Sequence, residues 1–200
     1  MSQGNFQNHV DFTNPMIVKL FSSYLSRIND VYTNIILFML SKNKMPDNPA
    51  ITLDIDETVL SSIAMENGNG IWLCDYLGWS RAQIFFPILP KVMEFLTLCK
   101  TMGITVFFIT GRPPMMLDYT YQNFVETGIL PLVGDDVKNR IYMYDGTEHT
   151  PALIRAFKEQ KRKEITEKGF NIFLNVGDQL SDTGKFSKYT VLLENPFYTI

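Results

Sequence analysis

Ala50-Ile-Thr-Leu-Asp-Ile-Asp-Glu-Thr58 is the stretch that decides the architecture. Its first four residues are a short apolar run bounded by Pro49, which predicts a buried strand. Asp54 and Asp56 then stand two residues apart where that strand ends. Were the strand to continue, both would point the same way. Loops at the carboxyl ends of strands are where open α/β sheets place their ligands. Two carboxylates held that close repel each other unless a cation lies between them or one takes a proton. Such an arrangement is useful for chemistry and wasteful for structure. By itself the stretch also suits a solvated loop with an Asx-turn, ended by Glu57 and Thr58.

Reading outward, similar runs recur. Ile104-Thr-Val-Phe-Phe-Ile109, a shorter stretch over residues 139–144, Asn171-Ile-Phe-Leu-Asn-Val176 and Tyr189-Thr-Val-Leu-Leu193 are all expected strands. Helical patterns separate them. Pro90 opens one, with Val92, Phe95, Leu96, Cys99 and Met102 inward and Gly103 as its terminator. Pro113-Pro114 starts another that runs to about Glu126, with Gly128 past its end. A further helix runs from Thr150-Pro151 to Lys168 and closes at Gly169. Continuously apolar strands alternating with helices predict a parallel sheet covered on both faces. The expected fold is α/β, a three-layer Rossmann-like sheet over residues 49–200.

Residues 1–48 are expected to form a helical extension packed on that domain. Asn14-Pro15 pairs a capping side chain with a proline at the first helical position. Ile17, Leu20, Phe21, Tyr24, Leu25, Ile28, Tyr32, Ile35, Ile36 and Met39 follow as a helical stripe. A break is expected near Asn29-Asp30, and Lys42, Lys44 and Pro46 stop the helix. Its polar face carries few cations, which disfavours a membrane surface as its partner. Residues 59–86 are irregular and aromatic, holding Trp72, Tyr76, Trp79, Phe85 and Phe86 around Gly68-Asn-Gly70. Rings in such a cap-like insert can stack on a substrate or form a small satellite core.

Composition narrows the function classes. The chain has 200 residues, 46% of them hydrophobic and 20% charged, enough for an ordinary globular core. A net charge of -3 without a basic block argues against a nucleic-acid polymer as partner. The most apolar run, Ile35-Ile-Leu-Phe-Met-Leu40, is far too short to span a bilayer. Cys74 and Cys99 form neither a disulfide framework nor a zinc pattern, and two free thiols fit a reducing compartment. The opening ten residues carry no basic start and no apolar core, so a cytoplasmic location is expected.

Three strand ends carry groups that chemistry can use. The first delivers Asp54 and Asp56, the second Thr110, Gly111 and Arg112, and the fourth Asp178 and, four residues on, Asp182. In a parallel sheet these ends share one edge and can converge. A hydroxyl and a glycine N–H bind phosphate oxygens. Four converging carboxylates call for a divalent cation, and hard oxygen donors select Mg²⁺ over zinc. The helix before the fourth strand offers an ammonium, with Lys158, Arg155, Lys161, Arg162 and Lys163 all candidates.

The order Asp-x-Asp-x-Thr, Thr-Gly-Arg, Lys, Gly-Asp-x-x-x-Asp resembles the haloacid dehalogenase superfamily. More narrowly, the chain is similar to the acid phosphatase family of plant vegetative storage proteins and bacterial lipoprotein acid phosphatases. The likeness runs from about Ala50 to the end of the chain. Leu53-Asp-Ile-Asp-Glu-Thr-Val-Leu-Ser61 resembles the family's first motif. Phe107-Phe-Ile-Thr-Gly-Arg112 resembles its second, with Thr120, Asn123 and Gly128 at the expected places beyond. Phe157-Lys158, with Arg162 and Gly169-Phe170, resembles the third; Val176-Gly-Asp-Gln-Leu-Ser-Asp182 resembles the fourth. Asn195-Pro-Phe-Tyr resembles the family's Asn-Pro-aromatic tail. Four motifs in order are far more specific than one. Two features depart from the pattern. Ser62 stands where relatives usually carry asparagine, and Ile63-Ala-Met lacks the aromatic pair that often follows.

The resemblance implies a two-step phosphoryl transfer and selects Lys158 among the cations. It makes Asp54 the nucleophile that forms an aspartyl-phosphate and Asp56 the general acid and base. Mg²⁺ would be held by Asp54, the Asp56 backbone carbonyl and Asp178, with Asp182 supporting its waters. Thr110 and Gly111 would bind phosphate oxygens, Lys158 would neutralise phosphate and Asp54, and Arg112 is a candidate substrate contact. The substrate class implied is a small phosphomonoester, including nucleoside monophosphates, with Trp72, Tyr76 or Trp79 at the base. The small insert implies an open site with broad specificity, or a cap supplied by a second subunit of a homo-oligomer. The competing readings are a phosphatase for a phosphorylated protein tail or polynucleotide end, and an idle storage or binding protein on this scaffold.

Overall fold

The computed structural model describes residues 14–63 and 85–197. The elements in chain order are α1 (Pro15–Leu40), β1 (Pro49–Leu53), α2 (Val92–Thr101), β2 (Thr105–Thr110), α3 (Leu117–Glu126), α4 (Leu130–Val133), β3 (Ile141–Met143), α5 (Pro151–Glu167), β4 (Asn171–Gly177) and β5 (Tyr189–Leu192). Short 3-10 turns precede α3 and β3 and follow β4. The strands form one sheet in the order β3-β2-β1-β4-β5, every neighbouring pair parallel.

Side-chain alternation along the strands divides the core in two. Ile51 and Leu53 of β1, with Val106 and Phe108 of β2, join one cluster with buried residues of α1, α2 and α3. Ala50, Phe107, Ile109 and Ile172 join a second cluster with Ile165 of α5. Helices thus cover both faces, as the strand composition predicts.

Local chemistry sets the helix ends. Asn14 accepts from the Met16 N–H ahead of Pro15, and Thr150 accepts from the Leu153 N–H ahead of Pro151. Gly103 (φ +66°) and Gly169 (φ +88°) take the left-handed conformation just past α2 and α5. Helix α1 is unbroken at Asn29-Asp30. Those two side chains bond to each other, and the flanking Ile28 and Tyr32 are locked in the core. Tyr24, Ile28, Tyr32, Ile35 and Met39 form its buried stripe. Burial of each such side chain stabilises by about 1.5–3 kcal/mol, so α1 is integral to the core. The third expected strand is shorter than its apolar pattern. Asn139 and Arg140 belong to a 3-10 turn, and only Ile141–Met143 pair with β2. Among the described residues no helix is long and apolar enough to cross a membrane.

Candidate active site

β1 and β4 are neighbours in the centre of the sheet, with Leu53 in register with Val176. Asp54 follows directly and its N–H donates to the Val176 carbonyl (3.0 Å). Asp178 follows Gly177 at the end of β4. The two strands therefore deliver both carboxylates side by side. Asp182 returns to them from the 3-10 turn after β4, and oxygens of Asp54, Asp178 and Asp182 lie within 4.8 Å of one another. All three residues are buried.

Lys158 enters from α5. It is on the inward face with Ile154, Arg162 and Ile165, all spaced by three or four residues. Its Nζ donates to Asp54 Oδ1 (2.7 Å) and to Asp182 Oδ1. The second Asp182 oxygen accepts from the Gln179 N–H (2.9 Å). On Asp178, Oδ2 accepts from the Gln179 side-chain amide (2.7 Å) and from the Asn195 side-chain amide (2.9 Å). Asp54 Oδ2 and Asp178 Oδ1 are left with no donor among the described residues.

The charges do not balance. Three carboxylates face one ammonium, a formal sum of -2 in a buried setting. Burial pushes the Asp54 carboxyl up to about 7, with Asp182 and Asp56 adding to the shift and Lys158 opposing it. Burial also raises Asp178 well above the carboxylate range, assisted by Asp54 and Asp182. Burial acts against the Lys158 ammonium, yet Asp182 and Asp54 outweigh it and hold its pKa above the usual lysine value. An all-oxygen cluster with surplus negative charge and two undonated oxygens is chemically suited to a hard divalent cation. The acidic cluster could hold a metal ion.

Asp56 is oriented differently. Arg112 forks onto it, Nε to Oδ2 (2.9 Å) and NH2 to Oδ1 (2.6 Å), and NH1 donates to Thr120 Oγ1 (2.9 Å). Phe86 and Tyr119 face the guanidinium at 5.6 and 5.8 Å. The side chain of Arg112, the candidate substrate contact, is fully buried and bonds to Asp56 and Thr120. Thr110 is buried at the end of β2, and its hydroxyl accepts from the Arg112 N–H (3.1 Å). Among the described residues, a methyl at Gly111 would meet only Ile154 Cδ1 at 3.8 Å, an ordinary contact.

The loop after Asp56 is held from within. Glu57 takes a positive φ (52°), and its buried carboxylate accepts from Ser62 N (2.7 Å), Ser62 Oγ and Ile63 N (3.2 Å). Ser62, the departure from the resembled motif, is thus a partner of Glu57. Leu60 forms an antiparallel bridge with Ile88, and Asn123 clasps the Phe86 backbone, accepting from its N–H (2.9 Å) and donating to its carbonyl (3.0 Å). Trp72, Tyr76 and Trp79 lie outside the described residues.

Several residues support the site in ways that a reading of the motifs does not give. Thr52 of β1 donates to Asn175 of β4 (2.7 Å), whose amide donates to the Asp182 carbonyl (2.8 Å). Arg162 donates to the carbonyls of Lys185, Asp182 and Thr183 (2.9, 3.2 and 3.4 Å). A polar Asn175 inside an apolar strand is a signal open to sequence reading. Asn195 belongs to the Asn-Pro-aromatic tail noted in the sequence, but its reach across 17 residues to Asp178 does not show there.

The whole-chain comparison fits this geometry. The model of the HAD superfamily, subfamily IIIB (Acid phosphatase), matches residues 7–200. The chain belongs to that family. The subfamily IIIB match takes in α1 as well as the sheet. Vegetative storage protein 1 of Arabidopsis thaliana is 26% identical over 153 residues, covering 74% of this chain and 54% of that protein. Acid phosphatase 1 of Solanum lycopersicum is 25% identical over 153 residues, covering 74% and 57%. The chain therefore spans about half the length of the curated relatives it matches. The fold of this subfamily IIIB chain is similar to that of the class C acid phosphatase from Bacillus anthracis. The TM-score is 0.66 at 21% identity, covering 88% of this chain and 80% of that one.

Proposed function

We propose that the chain is a Mg²⁺-dependent phosphomonoester hydrolase that works through an aspartyl-phosphate. The observation that carries this reading is the buried Asp54–Asp178–Asp182 cluster with Lys158, gathered at the carboxyl edge of a parallel sheet. Asp54 would attack phosphorus in line with the leaving oxygen. Asp56 would protonate that oxygen and then take a proton from the attacking water. Each of its oxygens accepts one bond from Arg112, which orients the carboxyl and leaves each oxygen a further lone pair with which to act. Lys158 would offset the charge of the phosphate beside Asp54, and the Thr110–Gly111 segment would receive phosphate oxygens. Asp54, the Asp56 carbonyl and Asp178 would hold Mg²⁺, which when bound offsets the repulsion between carboxylate and phosphate. Asp182 already has a donor on each oxygen, which suits support of the site better than direct ligation. Small phosphomonoesters, nucleoside monophosphates among them, are the substrate class that fits this family and a net charge of -3.

Asp54→Asn tests the reading. The substitution preserves size and leaves a side chain that cannot carry phosphate as an acyl phosphate. Turnover of p-nitrophenyl phosphate should vanish while the far-UV circular dichroism is retained. A rate near wild type would remove Asp54 as nucleophile. Wild-type activity should also disappear in EDTA and return with Mg²⁺. Full activity after metal stripping would remove the metal from the reading. No turnover of any phosphomonoester with Mg²⁺ binding intact would favour a storage or binding role, the role that the name of the Arabidopsis relative carries.

A further inference from the structure

Helix α1 lies outside every motif that carries the chemistry, yet one of its turns touches both loops that do. Tyr24 is buried, and its hydroxyl donates to the Glu57 carbonyl (3.1 Å). Tyr32, two helical turns on, donates to the next carbonyl, that of Thr58 (2.7 Å). Core packing alone would be served as well by phenylalanine at both positions. Two hydroxyls from one helix instead land on two successive carbonyls of the segment carrying Asp54 and Asp56. That segment turns through the left-handed φ of Glu57, a conformation that needs surrounding contacts to persist.

The other side of the same turn grips the chain after β5. The Phe197 ring stands edge-on to Phe21 (5.9 Å) and to Tyr24 (5.7 Å). Phe197 N–H donates to Asn195 Oδ1 (2.9 Å), which fixes which end of the Asn195 amide points away. The remaining end, Nδ2, donates to Asp178 Oδ2 (2.9 Å). Together with the Gln179 amide on the same oxygen, it turns Asp178 so that Oδ1 is the atom left open. The path therefore runs from α1 through Phe197 and Asn195 to a carboxylate of the acidic cluster.

We propose that α1 is a positioning element for the active site. Tyr24 and Tyr32 hold the loop of the nucleophile, and the Phe21–Tyr24 turn anchors the segment through which Asn195 aims Asp178 at the cation. The inference rests on the metal-binding part of the proposed function. Partners that orient a ligating carboxylate typically change metal affinity ten- to a hundredfold when removed. A loop shift of about 1 Å in a displacement reaction costs up to about a hundredfold in rate.

The experiment uses the full chain, with Mg²⁺ affinity measured by calorimetry and turnover measured with p-nitrophenyl phosphate. Asn195→Ala and Phe197→Ala should each weaken Mg²⁺ binding about ten- to a hundredfold. Tyr24→Phe keeps the ring against Phe197 and loses only the bond to the loop. It should keep the wild-type Mg²⁺ affinity and lower kcat about tenfold or more with KM unchanged. Ile35→Val, further along the same buried stripe, should lower the melting temperature and move neither quantity. That control separates positioning from general loosening of the helix. Folded Asn195→Ala and Phe197→Ala proteins with wild-type Mg²⁺ affinity would overturn the inference while wild-type turnover still upheld the phosphatase reading. The expected pattern in Mg²⁺ binding without any phosphomonoester turnover would overturn the phosphatase reading alone. A wild-type chain that binds no Mg²⁺ would overturn both.

Discussion

Replacing Lys158 by methionine removes the only ammonium that bonds to the acidic cluster among the described residues and keeps a side chain of similar length. With lysine in place the cluster sums to -2, and without it to -3. Lys158 is 3% exposed, so water can make up little of the difference. Breaking a buried ion pair from one side typically costs about 3–5 kcal/mol. For a chain of this size each kcal/mol moves the melting temperature by about 2–4 °C. Lys158→Met should therefore melt about 6–20 °C below wild type at about pH 8 without metal. The sign of the pH effect follows from Asp54. Burial raises its folded pKa to about 7, and loss of the lysine raises it further. A carboxyl with a raised pKa favours the folded state when protonated, and that contribution disappears as pH rises through the folded value. The deficit of the variant should thus shrink at about pH 5, and Mg²⁺ should recover part of it at about pH 8. Calorimetric melting of both proteins, with and without Mg²⁺, reads all of this. A variant melting with wild type at the higher pH in EDTA would show that Lys158 does not compensate the buried carboxylates.

Three further outcomes are expected. The metal-free wild type should itself lose stability as pH rises through about 7, because Asp54 and Asp178 are both held above the carboxylate range; a flat pH profile in thermal melts would contradict this. Gly177→Ala should cost about 1–3 kcal/mol and weaken Mg²⁺ binding, because a methyl there overlaps the Asp182 carboxyl group; wild-type Mg²⁺ affinity in a titration would refute the overlap. Arg112→Lys cannot rebuild the two-pronged contact on Asp56 and should lower kcat about a hundredfold with unchanged Mg²⁺ affinity; steady-state kinetics with p-nitrophenyl phosphate decide it.

Much of this arrangement is legible in the chain itself, for definite physical reasons. A parallel sheet buried on both faces must be written as apolar runs, and the proline and glycine residues at the helix ends punctuate them. Thr150-Pro151 and Gly169 mark α5 almost to the residue. The short α4 and the 3-10 turn at Asp135–Arg140 are harder, since so few residues establish no period. Asp54 and Asp178 can be placed together because strand ends share an edge. Lys158 cannot be told from Arg155 or Lys161 by residue type. What distinguishes it is its position four residues after buried Ile154, on the face turned to the sheet. Arg112 illustrates the converse. Next to Thr110 and Gly111 it looks available to a ligand, and only three dimensions bring Asp56 and Thr120 to its donors. The partners of Tyr24 and Asn195 are the least legible, because each acts on a backbone or carboxyl oxygen far away in the chain.

The two stems at residues 59–61 and 85–89 are fastened to each other and to α3. Ser61 N–H reaches the Pro87 carbonyl (2.8 Å), Leu89 N–H reaches the Val59 carbonyl (2.9 Å), and Asn123 pins Phe86 from below. A splice made between these stems would leave these bonds in place. Such a joint lets evolution, or an engineer, exchange the intervening segment as a cassette without undoing the fastening of the stems.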